Sequence, residues 1–330
     1  MNTSQLLDFD QLLKRFQAGE RDFSNLQLRH PQFAQTCLNQ INLKQAQLTQ
    51  ANFHQAQLIR ANLSRSHLFQ ANFSKALLIE TNLAQARLIE PLLTEAHLSG
   101  AMLGGAIITQ GNLNEANLVG ANLVQTQLLN HTKLKSANLM EAKLTYALLP
   151  QSNLTRANLT RAVLTQADLC QATLQEAQLT CAYLQGANLR GANLKGANLS
   201  FAHLAKADLT GANLQEANLE GANLSRATLI SANLRQARLN HTDLNHGDLQ
   251  QANLMGADLV GANLLSAKLC YSNLQQANLT QAGLLFTRLQ GANLRQAILK
   301  QTNLIGSNLS LADLSNTNTE QAILPNVEER

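Results

Sequence analysis

A five-residue period governs nearly the whole chain. In steps of five from Phe23 to Leu128, and again from Leu134 to Leu324 after one inserted residue near Asn130–His131, the central position holds Leu or Phe in 59 of 61 cases. Two residues earlier, 42 of the 61 positions hold Ala. On an α-helix such leucines would advance by about 500° per repeat and cover every face. On a flat strand they would alternate between the two faces.

The period instead predicts a closed coil around a leucine core, and therefore an all-β solenoid. Ala at i−2 and Leu at i lie on one side of a short extended segment, and the other two residues bend the chain. Four bends complete a coil of 20 residues, so the 61 repeats predict about 15 coils and a shaft on the order of 70 Å at ~4.8 Å per coil. Because leucine fills this core, we predict no cofactor and no metal.

Positions i−1, i+1 and i+2 point outward and carry mainly polar residues. Residues 20 apart form columns, and one column is a ladder of amides: Asn193, Asn213, Asn233, Asn253, Asn273 and Asn293. Such ladders can hydrogen-bond along a stack. Glycine recurs at the i+2 bend, for example at Gly186 and Gly191, where a missing Cβ relaxes the turn. We interpret both features as structural.

The two ends differ from the repeats. Residues 4–18 have a helical pattern, with Leu6, Phe9, Leu13 and Phe16 near one face and Gly19 as a C-terminal cap. An open solenoid end exposes core leucines and strand edges, so we predict that this helix covers it; a membrane-binding or partner-binding helix is the alternative. The predicted divisions are a capping helix over 1–19, a repeat region over 20–324 with an irregularity near 130–131, and a tail over 325–330.

The repeats closely resemble the A(D/N)LXX motif of the pentapeptide-repeat family, as in Ala187-Asn188-Leu189 and Ala257-Asp258-Leu259. The resemblance extends over roughly residues 20–324, and the opening segment 16–24 looks like that of cyanobacterial members. It implies a right-handed coil with a four-sided cross-section, that is, a right-handed quadrilateral β-helix. Most members of this family have no known biochemical activity. The best-understood ones resemble B-DNA in size and charge, and protect DNA gyrase from quinolones or inhibit it.

A filled core and a regular polar surface favour a non-catalytic interaction rod or scaffold whose partner is a protein. One candidate contact is an outward column of Leu265, Leu285 and Ile305 on successive coils, with Phe286 beside it. Apolar residues on an exposed sheet face often mark an interface, although drift in a tolerant position would produce the same pattern. A homodimer through a helix end or through this patch is a further possibility that the pattern allows.

Two nucleic-acid-related alternatives are less favoured. A gyrase-directed DNA mimic would have to imitate duplex DNA, which carries one negative charge per ~1.7 Å, whereas this chain has a formal net charge of +4 and lacks projecting loops. Direct nucleic-acid binding would use a basic face that Glu176 and Glu216 interrupt and that no aromatic residue interleaves. The basic residues of that face are Lys133, Lys135, Arg156, Lys195, Arg235 and Arg295.

Catalysis and metal binding find little support in the sequence. The acidic residues Glu80, Glu90, Glu95 and Glu115 are scattered at bends on convex faces, whereas polysaccharide-cleaving β-helices need convergent carboxylates. The pair His241 and His246 lies on adjacent faces without a third ligand. We therefore predict that the chain is not an enzyme.

The cysteines and the termini bear on the compartment. No pair among Cys37, Cys170, Cys181 and Cys270 has CxxC spacing, so we expect reduced thiols. The N-terminus has no secretory pattern, and no stretch approaches 18 apolar residues, so we expect no membrane span. The predicted location is the cytoplasm.

Overall fold

The computed structural model describes residues 8–325, which fall into two compact units, residues 8–163 and residues 164–325. The first unit contains one helix, α1 (Phe9–Gln17), and a parallel sheet in the order β1-β2-β3. The three strands are β1 (Arg87–Ile89), β2 (Ile107–Thr109) and β3 (Gln127–Leu129). In the rest of both units, single residues of each pentapeptide form parallel β-bridges.

The bridges show how the chain coils within each unit. Asp22 pairs with Asn42 in the first unit, and Asn193 pairs with Asn213 in the second, so one coil takes 20 residues, or four pentapeptides. Backbone hydrogen bonds join the coils: the Leu43 N–H donates to the Asn62 carbonyl at 2.7 Å, and the Asn62 N–H donates to the Ile41 carbonyl at 2.8 Å. This arrangement is a repeat β-helix, as the period predicted.

The core of each unit consists of the leucines at i and the small residues at i−2, nearly all of them 0–1% exposed. Where Thr or Ser replaces Ala, its hydroxyl donates to a buried carbonyl: Thr81 Oγ1 to Leu58 O at 2.6 Å, and Thr242 Oγ1 to Leu219 O at 3.0 Å. Within residues 8–325, no buried side-chain nitrogen or oxygen lacks a partner. The hydroxyl therefore replaces the Ala methyl without an unsatisfied polar group.

The i+2 residue makes each bend in the left-handed conformation. Glycine is not required there, because 49 non-glycine residues of the described chain also have positive φ, with glutamine the most frequent. The left-handed conformation costs about 1–2 kcal/mol for an L-residue. Backbone hydrogen bonds between coils compensate for this cost. The N–H of the bend residue donates to the next coil, as the Gln35 N–H does to the His54 carbonyl at 2.8 Å. Glycine relaxes the bend, but the hydrogen bond holds it.

The bend after β1 lacks a hydrogen bond that closes most other bends. Most bends are closed by a turn hydrogen bond from the i+3 N–H, such as Ala86 N–H to Leu83 O at 3.0 Å. Pro91 has no N–H to donate, although Pro31, in the same slot of an earlier repeat, follows a single bridge and not a full strand. One coil later, a Cβ on Gly111 would lie 2.6 Å from Ile108 Cγ2 and 3.3 Å from Pro91 Cγ, so only glycine fits there.

The inserted residue lies one coil further on, directly after β3. There Asn130 and His131 both have positive φ, at 55° and 60°. The pairing distance becomes 21 residues at this point, as in Asn112 with Lys133. The irregularity in the sequence thus coincides with a register change in the structure of the first unit.

Helix α1 begins with a capping box, in which the Asp8 carboxylate accepts from the Gln11 N–H at 2.7 Å. Leu12 and Phe16 are buried, and the Phe9 ring meets the Phe33 ring edge-on at 5.2 Å. Leu12, rather than the predicted Leu13, is therefore the central buried residue, and Leu13 is half-buried. Both leucines lie three or four residues from Phe9 and Phe16, so the spacing alone does not distinguish them.

The predicted helix began at residue 4, and its first four residues, including Leu6, lie outside the described residues. Among residues 8–325, no helix has the length and apolar character needed to cross a bilayer.

Candidate interaction surface

The apolar residues singled out in the sequence lie together on the second unit, as a column of Leu265, Leu285 and Ile305 with Phe286 beside it, and we call these four residues the corner patch. The Ser266 N–H donates to the Leu285 carbonyl at 2.9 Å, and the Phe286 N–H donates to the Ile305 carbonyl at 3.0 Å. Leu265 and Leu285 are half-buried, whereas Ile305 is 46% and Phe286 59% exposed. The structure thus brings these residues together on successive coils and leaves their apolar surface open.

The Phe286 ring lies against the backbone of the next coil. A Cβ added to Gly306 would come within 2.4 Å of Phe286 Cδ1, so the ring occupies the space above this glycine. The same arrangement recurs in the second unit for three aromatic–glycine pairs separated by 20 residues: Phe201 with Gly221, Tyr271 with Gly291, and Phe286 with Gly306. Sequence reasoning missed this pairing, although the 20-residue spacing of aromatic and glycine would have revealed it.

Charged side chains lie beside the corner patch. Lys268 Nζ donates to Asp248 Oδ2 at 3.0 Å. Burial tends to raise the pKa of Asp248, but hydrogen bonds from Gln250 and Lys268 outweigh it, and the pKa lies below its ordinary value. Arg288 lies one coil after Lys268 and is exposed. No carboxylate within residues 8–325 lies at ion-pair distance from it. The patch therefore has a basic flank that is available to a partner.

The amide ladder proves to have two roles. Asn213 Nδ2 donates to Asn193 Oδ1 at 3.2 Å, and Asn233 Nδ2 donates to Asn213 Oδ1 at 3.0 Å. Each Oδ1 also accepts the backbone N–H two residues on, as Asn193 Oδ1 does from Lys195 at 3.2 Å. This second bond is an Asx turn. It gives a physical reason for the frequency of Asn and Asp directly before the central leucine.

Three of the four acidic residues considered as catalytic candidates, Glu80, Glu90 and Glu95, make side-chain contacts to the neighbouring coil of the first unit, whereas no such contact is seen for Glu115 within residues 8–325. Glu80 pairs with Arg60 at 2.7 Å and Glu95 with Lys75 at 3.6 Å, each across 20 residues, and Glu90 accepts from Gln70 at 2.9 Å. These contacts run along the stack and neutralise the carboxylates in part.

Several basic residues are engaged in the same way. In the second unit, Lys195 pairs with Glu216 at 3.7 Å and Arg295 with Asp313 at 3.8 Å. The acid Glu216, which interrupts the basic face in the sequence, is therefore in contact with it in the structure.

The thiols and histidines form no cluster. Cys37 is exposed, Cys170, Cys181 and Cys270 are half-buried, and all four are free. In the part of the chain that the structure describes, no three His, Cys, Asp or Glu side chains come together as a possible metal site.

Comparison with known proteins places the repeat in a family. The Pentapeptide repeats profile matches eight times, over residues 22–65, 66–110, 92–130, 137–175, 177–215, 207–246, 248–284 and 286–324. No curated protein matches the chain.

Three solved structures illustrate the range of similar proteins. HetL, a pentapeptide repeat protein involved in heterocyst differentiation regulation from the cyanobacterium Nostoc, is 28% identical over 97% of this chain and 98% of its own, with a TM-score of 0.20. Rfr23 from the cyanobacterium Cyanothece is 29% identical over 42% of this chain and 88% of its own, with a TM-score of 0.12. QnrB1, a plasmid-mediated fluoroquinolone resistance protein, is 17% identical over 67% of this chain and 90% of its own, with a TM-score of 0.29.

The assignment rests on the repeat profile, whose copies extend from residue 22 to residue 324 and cover most of the chain. It confirms the resemblance that the A(D/N)LXX repeats indicated. The chain belongs to the pentapeptide repeat family.

Proposed function

We propose that the chain is a non-catalytic interaction protein whose partner is another protein, and that the corner patch is one of its contact surfaces. The observation that carries this proposal is the column of Leu265, Leu285 and Ile305 with Phe286 beside it, four apolar side chains in adjacent outward slots, of which Ile305 is 46% and Phe286 59% exposed. Aromatic residues are enriched at interfaces. The Phe286 ring, which already packs over Gly306 of the next coil, also loses little conformational freedom on binding.

The absence of catalysis is part of the same proposal. Leucine and small residues fill the interior of each unit. Several carboxylates on the surface are engaged along the stack, as in Arg60–Glu80 and Lys75–Glu95, whereas general acid–base work needs two groups that face one substrate. The four free thiols support a reducing compartment, for which we propose the cytoplasm.

The finer architecture is also a proposal. Four pentapeptides per 20-residue register support a four-sided, right-handed coil, and residues 20–324 would make about 15 such coils at ~4.8 Å each. The Phe9 ring against Phe33 supports α1 as the cover of the first coils. A crystal structure would test this architecture, and a wide empty lumen in it would contradict the proposal.

The test replaces the two outward leucines of the corner patch, Leu265→Ser and Leu285→Ser, and measures partner capture and oligomeric state. We expect the double variant to lose a partner that the parent protein retains, because the apolar contact area becomes polar. Val119→Ser, which changes the same outward slot in the first unit, is the matched control. Loss of a parent dimer would identify the partner as a second copy, and an unchanged partner and an unchanged oligomeric state would refute the patch.

A further inference from the structure

The three-stranded sheet of the first unit carries a second apolar surface, which we call the β1–β3 face. It consists of the outward side chains Phe69, Ile89, Ile107, Leu129 and Leu148. The strands pair in parallel, with Arg87 opposite Ile107 and Ile107 opposite Gln127, and Gln127 bridges to Leu148 on the next coil. Phe69 and Leu148 are each 38% exposed, and the other three are half-buried.

Half of the outward strand positions of this sheet are apolar, namely Ile89, Ile107 and Leu129, in addition to the apolar inward positions. Its strands read Arg-Leu-Ile, Ile-Ile-Thr and Gln-Leu-Leu, so apolar residues point outward as well as inward. Parallel strands that are buried on both faces have such near-continuous apolar runs, and helices usually cover them. Here the inner face packs in the core, where Leu88, Ile108 and Leu128 are fully buried, while the outer face has no cover within the described chain.

The dimensions of the face fit one helix better than a second copy of the chain. Each strand of three residues is ~10 Å long, which sets the width of the face. The five coils from Phe69 to Leu148 extend over ~19 Å along the stack, at ~4.8 Å per coil. The resulting ~200 Å² is far below the ~800 Å² per partner of a standard stable interface. A helix ~10 Å in diameter and about 13 residues long, at 1.5 Å per residue, matches both dimensions.

Charge indicates which helix would fit. Arg87 is exposed at the start of β1, and no carboxylate within residues 8–325 lies at ion-pair distance from its guanidinium. Arg65 lies at the neighbouring corner and donates to the neutral Gln85 at 2.8 Å. The nearest acid of the face, Glu90, already accepts from Gln70 at 2.9 Å. The free positive charge therefore calls for a carboxylate on the partner.

A depression at the edge of the face offers room for a side chain. Its volume is about 550 Å³, and its lining residues are Gly105, Gln125, Gln127, Tyr146 and Leu148. Tyr146, which is 55% exposed, and Leu148 supply apolar walls, while the missing side chain of Gly105 leaves the floor open. A large apolar side chain at the centre of a partner's stripe would fill it, as anchors do in helix-in-groove complexes.

We propose that the β1–β3 face docks an amphipathic helix of a partner protein, about three and a half turns long, with an apolar stripe and a carboxylate that meets Arg87. This inference rests on the proposed role of the chain in protein interaction and adds a second surface with a defined partner chemistry. The helix lies along the stack, because the strands are too short to align with it.

The experiment measures binding of a stapled helical peptide of about 13 residues by fluorescence anisotropy. The peptide carries Leu at i, i+3, i+4 and i+7 and Glu beside them; one control peptide has Lys in place of Glu, and another has a scrambled order. We expect the Glu peptide to bind the full chain at least tenfold more tightly than the scrambled one. Arg87→Glu should weaken the Glu peptide and strengthen the Lys peptide.

The variant Ile107→Thr with Leu129→Thr should weaken the Glu peptide by about tenfold or more, that is, by ~1.4 kcal/mol or more. Leu285→Ser, in the corner patch, is the control and should leave peptide binding unchanged. Both changes affect outward side chains, so the far-UV circular dichroism should match that of the parent.

Four results would overturn the proposal. They are equal binding of the scrambled peptide, no effect of the Ile107 and Leu129 changes, a concentration-dependent dimer that those changes abolish, and flotation with anionic vesicles that they abolish. The last two would assign the face to a second copy or to a membrane. The two proposals fail separately: a native partner that is lost with Leu285→Ser but retained with the Ile107 and Leu129 changes supports the corner patch, whereas peptide binding that is lost only with the Ile107 and Leu129 changes supports the β1–β3 face.

Discussion

The pairing of a bend aromatic with a glycine one coil later makes a quantitative prediction. Gly221 has φ +65°, and a Cβ there would lie 2.6 Å from both Cδ1 and Cε1 of Phe201. Gly211 has the same φ of +65°, but a Cβ there would meet nothing within 4 Å. Gly221→Ala and Gly211→Ala therefore impose the same backbone cost, and only the first also displaces an aromatic ring.

The magnitudes follow from exposure. Placing alanine in the left-handed region costs roughly 1 kcal/mol at either site. Phe201 is 56% exposed, so about 44% of a ring surface of ~200 Å² is covered. At ~25 cal/mol per Å², this ~90 Å² contributes ~2 kcal/mol at most. We expect Gly211→Ala to cost about 1 kcal/mol and Gly221→Ala about 2–3 kcal/mol.

The assay is urea unfolding followed by far-UV circular dichroism, with the midpoints compared at constant slope. A double-mutant cycle separates the two terms: in a Phe201→Ala background, Gly221→Ala should cost no more than Gly211→Ala does, which leaves a coupling of about 1–2 kcal/mol. Equal costs for Gly221→Ala and Gly211→Ala in the parent, or no coupling in the cycle, would refute the argument that the ring packs on the glycine.

Three further predictions follow from the same ladders and core. Phe53 stacks between Phe33 and Phe73 at 4.8 and 4.7 Å and is fully buried, so Phe53→Ala should cost about 3–5 kcal/mol, and Phe53→Leu much less, in the same urea assay. Asn233→Ala removes a ladder bond and an Asx turn and should cost roughly 1–3 kcal/mol; a neutral midpoint would contradict both roles. The pKa of Asp248 is lowered in the folded state, so its stabilising contribution should be complete above the unfolded value of about 3.9 and decline as pH falls below it; Asp248→Asn should flatten this acid limb of the stability profile.

The period alone was enough to predict the repeat β-helix. A leucine every fifth residue with Ala two before it can be buried only if the chain turns between repeats, and the 20-residue register of Asn193 and Asn213 agrees with this expectation. The hydrophobic core leaves few alternatives, because each buried leucine contributes roughly 1.5–3 kcal/mol. Local sequence and global fold agree at almost every repeat.

Other features could not be predicted without knowing which residues of neighbouring coils are in contact. Glutamine dominates the left-handed bends, although its own preference is for φ below zero, because the ladder hydrogen bond to the next coil holds it there. The predicted helix placed Leu13 on its buried face, and the contact of Phe9 with Phe33 instead turns Leu12 inward. Neither outcome can be read from a single pentapeptide, since the partner lies on another coil or another element.

The two apolar surfaces also differ in how far the sequence predicts them. The column of Leu265, Leu285 and Ile305 was visible in the sequence because outward slots 20 apart must stack. The β1–β3 face was not, since it depends on the pairing of β1, β2 and β3, which places outward side chains of successive coils side by side. Its apolar outward residues gain significance only once those strands form a sheet.

The amino-acid sequence by itself determined which side chains are inside, because burial follows from a short repeat whose period allows one solution. The tertiary structure decided which outward side chains act together. Contacts such as that of Phe201 with Gly221 join residues that are 20 positions apart, and their energy depends on the stacking of one coil on the next.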